Sequence, residues 1–271
     1  MKRVFPQPDW PESWKYSYPY DLQEVYGEIS CRGYAYAYDT RRKLALELIR
    51  HAAPHGGKIL DVAAAQGNFS LALAEAGYQV TWNDLRADLA DYVKLKHDRG
   101  AIEYAPGNVF DLGFRECFDV VLITEIIEHV AHPDQFLAKV AGLVKPGGFV
   151  VMTTPNGAYI RHGLPKFSDF PDPSVFESEQ FKPNADGHIF LLHVDEIEPL
   201  AHKAGLIVEE IRLSTNLLTN GHVKTESLLK IFPRQCVEAL ERCTQQFPLG
   251  LQRKINTNLA ALLRKPSNGN S

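Results

Sequence analysis

The chain has 271 residues, of which 45% are hydrophobic and 23% charged, and its formal net charge is −4. This length suits one large domain with a substantial core, and the charge balance gives no reason to expect nucleic acid as a partner. The longest strongly apolar run, near residues 118–127, is too short to span a bilayer, and the first residues lack the apolar region of a signal peptide. The four cysteines form no Cys-x-x-Cys pair, so we expect a reducing, cytoplasmic setting.

The first 30 residues are rich in proline and aromatic residues. Three prolines and two tryptophans occur within the first fourteen positions, which predicts an arm that packs on the core rather than a regular helix. A helix is predicted from Asp39 to Ala53, since Leu44 and Leu48 recur at helical spacing, with Asp39 or Thr40 as its N-cap.

Strand-like and helix-like runs then alternate along the chain. The predicted strands lie near 58–63, 78–84, 101–105, 118–124 and 148–154, and the helices near 67–76, 86–99 and 133–143. Such alternation predicts a parallel sheet with helices on both faces.

The alternation ends after residue 154. Residues 155–187 show no periodicity and predict a lid or substrate loop. A helix capped by Asp195 with Glu198 follows, then a strand at 206–213, a helical stretch at 223–252 and a last strand at 258–263. The predicted fold is therefore a doubly wound, mostly parallel, seven-stranded α/β sheet of the Rossmann-like type, with an N-terminal arm and lid insertions.

A small-residue loop follows the first predicted strand. Such a loop lets backbone N–H groups approach a ligand closely. A dinucleotide site of the form Gly-x-Gly-x-x-Gly would need glycine at Ala63, Ala65 and Asn68, and none is present. The acidic-x-Gly-x-Gly-x-Gly loop that binds S-adenosylmethionine (AdoMet) would match Asp61 and Gly67, with alanine replacing the two other glycines.

The chain at this point resembles the class I AdoMet-dependent methyltransferases over roughly residues 40–215. Four segments carry the resemblance in the usual order, at 59–67, 80–85, 118–130 and 143–148. The segment from Phe118 to Gly148 is most similar to the O-methyltransferases of ubiquinone biosynthesis and their small-molecule relatives.

The resemblance implies roles for individual residues. Ala63, Ala65 and Gly67 would lie under the methionine part of AdoMet, with Asp61 ordering the loop or the amino group. Asp84 would accept hydrogen bonds from both ribose hydroxyls, as an acidic residue about twenty positions after such a loop does in nucleotide folds. The remaining cofactor contacts would be Leu85 on the adenine face, Asn108 and the Val109 backbone N–H on the adenine edge, Thr124 near the sulfonium, and Arg42 or Arg41 on the carboxylate.

Methylation of a hydroxyl also needs a proton acceptor, for which histidine is the usual choice. The candidates are His129, His132, His162, His188 and His193, of which His129 and His188 are preferred, with Glu125 facing the acceptor. A structural role for these histidines is the alternative. Glu125, Glu128 and His129 also match an acid-x-x-acid-His set that holds a divalent cation in some relatives, although we predict no metal.

The sequence predicts a single methyltransferase domain that acts on a small-molecule acceptor. An oxygen of a metabolite or sugar is favoured, because the motifs of base amino-group and cytosine C5 methylation are absent, and nitrogen and carbon acceptors are the alternatives. The expected divisions are an N-terminal arm and helix at 1–55, an AdoMet-binding core at 56–215 containing a substrate lid at 155–193, a helical cap at 216–255, and a last strand and tail at 256–271. No nucleic acid and no membrane span are expected, and the protein is a monomer or homodimer. The alternatives are an AdoMet-binding protein without turnover and an NAD-dependent oxidoreductase.

Overall fold

A computed structural model describes residues 1–180 and 187–267. Part of the predicted lid, residues 181–186, and the end of the predicted tail, residues 268–271, lie outside the described residues.

The centre of the molecule is a seven-stranded sheet. Its strands are β1 (Lys58–Val62), β2 (Gln79–Trp82), β3 (Ala101–Tyr104), β4 (Phe118–Thr124), β5 (Val144–Pro155), β6 (Ile207–Asn216) and β7 (Asn256–Arg264). The strand order is β3-β2-β1-β4-β5-β7-β6, and β7 runs antiparallel to both of its neighbours. The predicted mostly parallel, seven-stranded fold is confirmed.

Nine helices are described around this sheet in residues 1–180 and 187–267. They are α1 (Glu12–Glu24), α2 (Arg32–Ala52), α3 (Asn68–Glu75), α4 (Leu89–Lys96), α5 (Pro133–Ala141), α6 (Val194–Lys203), α7 (Glu226–Ile231), α8 (Arg234–Thr244) and α9 (Leu249–Ile255).

Hydrophobic residues on both faces of the sheet explain the layered packing. Ile59 and Leu60 are adjacent in β1 and belong to separate buried clusters, because successive side chains of a strand point to opposite faces. Leu60 shares its cluster with residues of α5 and α6, including Leu137 and Leu200, whereas Ile59 packs with residues of α2 and α3, such as Leu48. The helices therefore cover the sheet from both sides, as predicted.

Several predicted helix boundaries were wrong. The proline-rich arm contains α1, with Pro19 inside it, and α2 begins at Arg32 rather than at Asp39. The stretch 223–252 is three helices, since Pro233 and Pro248 directly precede α8 and α9. A proline lacks the N–H that would continue the preceding helix, so the chain breaks there.

The predicted cap of α6 also lies elsewhere. The residue before this helix is His193, and its backbone N–H donates to Glu196 Oε2 at 2.9 Å. The capping box therefore begins two residues earlier than the predicted pair of Asp195 and Glu198. Within the described parts of the chain, no helix combines the length and apolar character that crossing a membrane would require.

Candidate active site

A cavity of about 540 Å³ opens at the carboxyl edge of the parallel strands. The ends of three strands meet there, because Asp61 of β1 lies in register with Trp82 of β2 and with Leu122 of β4. This edge is where open α/β sheets place their ligand sites. The lining comes from the loop after β1, the segments that follow β2 and β4, helices α1 and α2, and the residues Glu179 and Gly187.

The loop after β1 has a left-handed backbone at three alternate positions. The φ angles are 51° at Ala63, 48° at Ala65 and 72° at Gly67. These are the three positions at which the AdoMet loop carries glycine, so the alanines adopt the conformation that glycine would adopt without strain. At Gly67 a Cβ atom would lie 2.8 Å from both methyl groups of Val93, so this position requires glycine.

Replacing Ala63 or Ala65 with glycine is expected to stabilise the protein. Each change removes left-handed strain at the cost of some unfolded-state entropy, for a net gain of roughly 1 kcal/mol, or about 2–4 °C in Tm. The matched control is Ala64→Gly. Ala64 lies between the two strained residues but does not have a positive φ, so this variant should be less stable than the wild type. Thermal unfolding measures the Tm of the three variants. A Tm below that of the wild type for Ala63→Gly and Ala65→Gly would contradict the claim that the two alanines are strained.

Asp84 follows β2, separated from its last residue by Asn83, and faces the same loop. Its Oδ2 accepts from the Ala65 backbone N–H at 2.9 Å, and its Oδ1 accepts from the backbone N–H and the Nε of Arg86 at 2.9 and 3.0 Å. The side chain is almost fully buried, yet it lines the cavity. Asp84 thus presents a carboxylate to the cavity within hydrogen-bonding distance of the left-handed loop.

Asp61 lies behind the loop, at the end of β1. Its Oδ2 accepts from the Ser70 hydroxyl at 2.6 Å, while its buried Oδ1 has no hydrogen-bond partner among the described residues. Burial raises the pKa of Asp61 to about 7. The residue connects β1 to α3 and therefore orders the loop between them.

The end of β4 supplies the opposite wall of the cavity. Glu125 has a positive φ of 53°, and its carboxylate bridges two groups: Oε2 accepts from Arg41 Nη1 and Oε1 from the Thr153 hydroxyl, both at 3.0 Å. Thr124 and Glu125 both line the cavity. A strained backbone held by an ion pair is typical of functional sites.

Among the described histidines, His129 lines the cavity. Its Nδ1 lies 3.2 Å from the Gly187 carbonyl oxygen, which can only accept, so this contact places a proton on Nδ1, while Nε2 lies 4.0 Å from Glu128 Oε1. The His188 ring packs edge-on against it, with 4.9 Å between ring centroids. His132, His162 and His193 are not among the lining residues.

The grouping of potential cation ligands differs from the predicted acid-x-x-acid-His set. Ligand atoms of Glu128, His129 and His188 lie within 4.8 Å of one another, whereas Glu125 is paired with Arg41. Glu128 is fully buried, which raises its pKa well above the usual value, and its Oε2 accepts from Thr154 at 3.0 Å. The absence of a metal stays a prediction.

Of the remaining residues predicted to contact AdoMet, some line the cavity and others do not. Arg41 lines the cavity, but Arg42, one position further along α2, lies 3.5 Å from Asp39, because successive helical residues point about 100° apart. Leu85 lines the cavity and is 55% exposed, so its surface is available to a ligand. Asn108 donates to Asp111 at 2.8 Å, and neither it nor the buried Val109 lines the cavity.

A polar network that was not predicted from the sequence joins α1 to the loop after β1. Asp21 of α1 and Lys96 of α4 form a fully buried ion pair at 2.8 Å. Asn68 donates to Asp21 and accepts from Lys96, both at 2.8 Å, and the Tyr92 hydroxyl donates to Asp21 at 2.6 Å. Glu24, one helical turn after Asp21, lines the cavity. The spacing of Asp21 and Glu24, one helical turn apart, was the feature of the sequence that could have indicated this network.

Comparison with known proteins agrees with this geometry. Residues 60–152 match the methyltransferase domain family. A ubiquinone biosynthesis O-methyltransferase of Xanthomonas axonopodis pv. citri is 33% identical over 141 residues, which are 45% of this chain and 59% of that protein. Its namesake in Bradyrhizobium sp. (strain ORS 278) is 33% identical over 103 residues, covering 37% and 41% of the two chains. The matches therefore span about half the length of these relatives.

Solved structures share the fold at low sequence identity. An AdoMet-dependent methyltransferase from Mesorhizobium loti has a TM-score of 0.53 and 16% identity, covering 82% of this chain and 96% of the other. The [4+2]-cyclase SpnF has a TM-score of 0.53 and 12% identity, covering 85% and 83%. Residues 60–152 therefore match the methyltransferase domain family, within a chain that has the Rossmann-like fold of these solved structures.

Proposed function

We propose that this chain is an AdoMet-dependent methyltransferase that methylates a small molecule, at an oxygen of a metabolite or sugar. The observation that carries the proposal is the cavity in which Asp84 faces the left-handed loop of Ala63, Ala65 and Gly67. The carboxylate of Asp84 can accept hydrogen bonds from the ribose hydroxyls, and the loop backbone can approach the methionine part because it carries no large side chains.

The residues present fit AdoMet in shape and charge. The small side chains of the loop leave its backbone accessible, and the cavity volume lies within the range of cofactor pockets. Arg86 holds Asp84 in this structure but is itself about half exposed, so it can turn toward solvent when ribose hydroxyls take its place.

The topology disfavours an NAD-dependent oxidoreductase. A dinucleotide-binding sheet has the order 3-2-1-4-5-6, whereas here the antiparallel β7 lies between β5 and β6. Asn68, at the position of the third dinucleotide glycine, has its side-chain amide committed to Asp21 and Lys96. Neither feature is expected of an NAD site.

The chemistry follows from the wall opposite the loop. AdoMet supplies an electrophilic methyl group on a sulfonium, which is displaced in line by the acceptor. His129 is the proposed base: its Nδ1–H donates to Gly187, which leaves Nε2 to take the proton of an acceptor hydroxyl. Glu125 holds Arg41 at the wall of the cavity, and His188 supports the His129 ring from its edge.

We propose that the acceptor pocket is bounded by the N-terminal arm and by the described part of the lid, whereas the expected C-terminal helices α7, α8 and α9 do not line this cavity. Tyr16 of α1, Glu179 and Gly187 line the cavity, so the arm and the lid reach the same space. A lid formed by such segments suits a small acceptor that must be shielded from water.

The identity of the acceptor is open to direct measurement. Purified protein is incubated with methyl-labelled AdoMet and a host-cell extract divided into metabolite, protein and nucleic-acid fractions, and labelled products are located by mass. We expect one class of labelled small molecule together with release of the demethylated co-substrate. Label in protein or nucleic acid, with none in metabolites, would contradict the proposed substrate class.

A second candidate function is AdoMet binding without methyl transfer. It is favoured by the strained alanines of the loop, and a cyclase with a similar fold shows that the fold alone does not determine the reaction. In that case AdoMet binds, but no demethylated product forms with any extract fraction.

A further inference from the structure

Glu24 is a cavity residue with no assigned role. It is the last residue of α1 and lies beside the loop after β1, where its Oε2 accepts from Asn68 Nδ2 at 2.8 Å and from Gln66 Nε2 at 3.1 Å. Its Oε1 accepts from the Tyr34 hydroxyl. A carboxylate offers about four acceptor positions, so one on Oε1 remains for a ligand.

The charges in the cavity leave Glu24 without a cation. The two arginines that line the cavity are both paired, Arg41 with Glu125 and Arg86 with Asp84, each at 3.0 Å. Among the described residues, no lysine, arginine or histidine lies within ion-pair distance of Glu24. Burial raises the pKa of Glu24, and the nearby charge of Arg41 offsets this effect only in part.

We propose that Glu24 receives the α-ammonium group at the methionine end of AdoMet. The proposal rests on the function proposed above. AdoMet carries a sulfonium, an ammonium and a carboxylate, so its net charge is positive and matches this excess of negative charge. The ribose end is assigned to Asp84, and the wall at Thr124, Glu125 and His129 is assigned to methyl transfer.

The remaining part of the cavity, beside Gln66 and Asn68, is left for the amino-acid end of the ligand. Glu24 and Arg41 both line the cavity and carry opposite charges close enough to influence each other. A zwitterionic amino-acid group needs such a pair, with the carboxylate for its ammonium and the guanidinium for its carboxylate. Recognition of the co-substrate thus depends on α1, outside the segment that matches the methyltransferase domain family.

The test compares two ligands that differ in the amino-acid part. Calorimetry measures binding of AdoMet and of 5′-methylthioadenosine, which has no amino-acid group, to the full chain and to Glu24→Gln. We expect Glu24→Gln to weaken AdoMet binding by about 10-fold to 100-fold, the loss of a hydrogen bond to a charged group, and to leave 5′-methylthioadenosine unchanged. Glu12→Gln, at the exposed first turn of the same helix, is the matched control and should bind both ligands as the wild type does.

Each outcome decides the proposal. Equal AdoMet affinity in Glu24→Gln and wild type overturns the role of Glu24 and leaves the proposed function standing. Equal loss for both ligands also overturns it, since Glu24 would then only order the loop. If the wild type binds neither ligand, the proposed function itself fails. Should Glu24→Gln not fold, Glu24→Asp keeps the charge on a shorter side chain, and the same preferential loss of AdoMet over 5′-methylthioadenosine is expected.

Discussion

Replacement of Asp84 by alanine is expected to weaken AdoMet binding by at least about 100-fold, because two hydrogen bonds from ribose hydroxyls to a carboxylate contribute about 1.5–3 kcal/mol each. The same change removes the acceptor of the Ala65 backbone N–H, so the loop under the methionine part also loses an anchor. Calorimetric titration with AdoMet and with its demethylated product measures both effects. The two ligands share the ribose and should lose affinity equally.

The control for this variant is Asp91→Ala. Asp91 lies on α4, is exposed and pairs with Lys94 at 2.8 Å, so its removal should leave AdoMet affinity unchanged. An Asp84→Ala protein that is folded and binds AdoMet with wild-type affinity would remove the ribose assignment.

The largest expected effect on stability is that of Lys96→Met. Its ammonium forms an ion pair with Asp21 in which both side chains are fully buried, and it also donates to Asn68. Removing one partner of a buried pair leaves an uncompensated charge, which costs about 3–5 kcal/mol. For a chain of this size the Tm should fall by roughly 10 °C. Thermal or urea unfolding measures the loss.

Lys94→Met is the matched control, because Lys94 lies on the same helix but is exposed, where it pairs with Asp91 and contacts the Tyr104 ring. Its effect should stay within about 0.5 kcal/mol. The double variant Asp21→Leu with Lys96→Met removes both charges and should recover part of the loss. A Lys96→Met protein as stable as Lys94→Met would show that the pair does not hold α1 in place.

The sheet was predictable because its strands are apolar runs that alternate with amphipathic helices. Ile59 and Leu60, for example, lie on opposite faces of β1, and both are buried. A run of apolar residues on both faces of a strand therefore indicates a central strand of a parallel sheet. The antiparallel placement of β7 between β5 and β6 could not be read from the apolar pattern. Pairing direction depends on how the preceding helices return the chain to the sheet.

Helix α1 could not be predicted because its buried face is polar. Asp21 is completely buried, and the helix lacks the apolar stripe from which a helix is normally recognised. At Gly33 of α2, a Cβ atom would lie 2.1 Å from the backbone oxygen of Asn220. This glycine permits close packing within a helix, a role that only the tertiary structure shows.

The candidate site was predictable where backbone geometry defines it and unpredictable where helix orientation does. Asp84 and the loop at Ala63 and Ala65 follow from strand ends and small residues. The choice of Arg41 over Arg42 depends on the rotation of α2, which is set by packing of Leu44 and Leu48 against the sheet. Glu24 was missed because α1 itself was missed.

The central claim is that this cavity binds AdoMet, and calorimetric titration of the wild-type protein tests it most directly. AdoMet and NAD are titrated separately into the full chain under identical conditions. We expect one AdoMet site per chain, saturating at micromolar to millimolar ligand, and no measurable binding of NAD. Saturable binding of NAD with no binding of AdoMet or its demethylated product would contradict it.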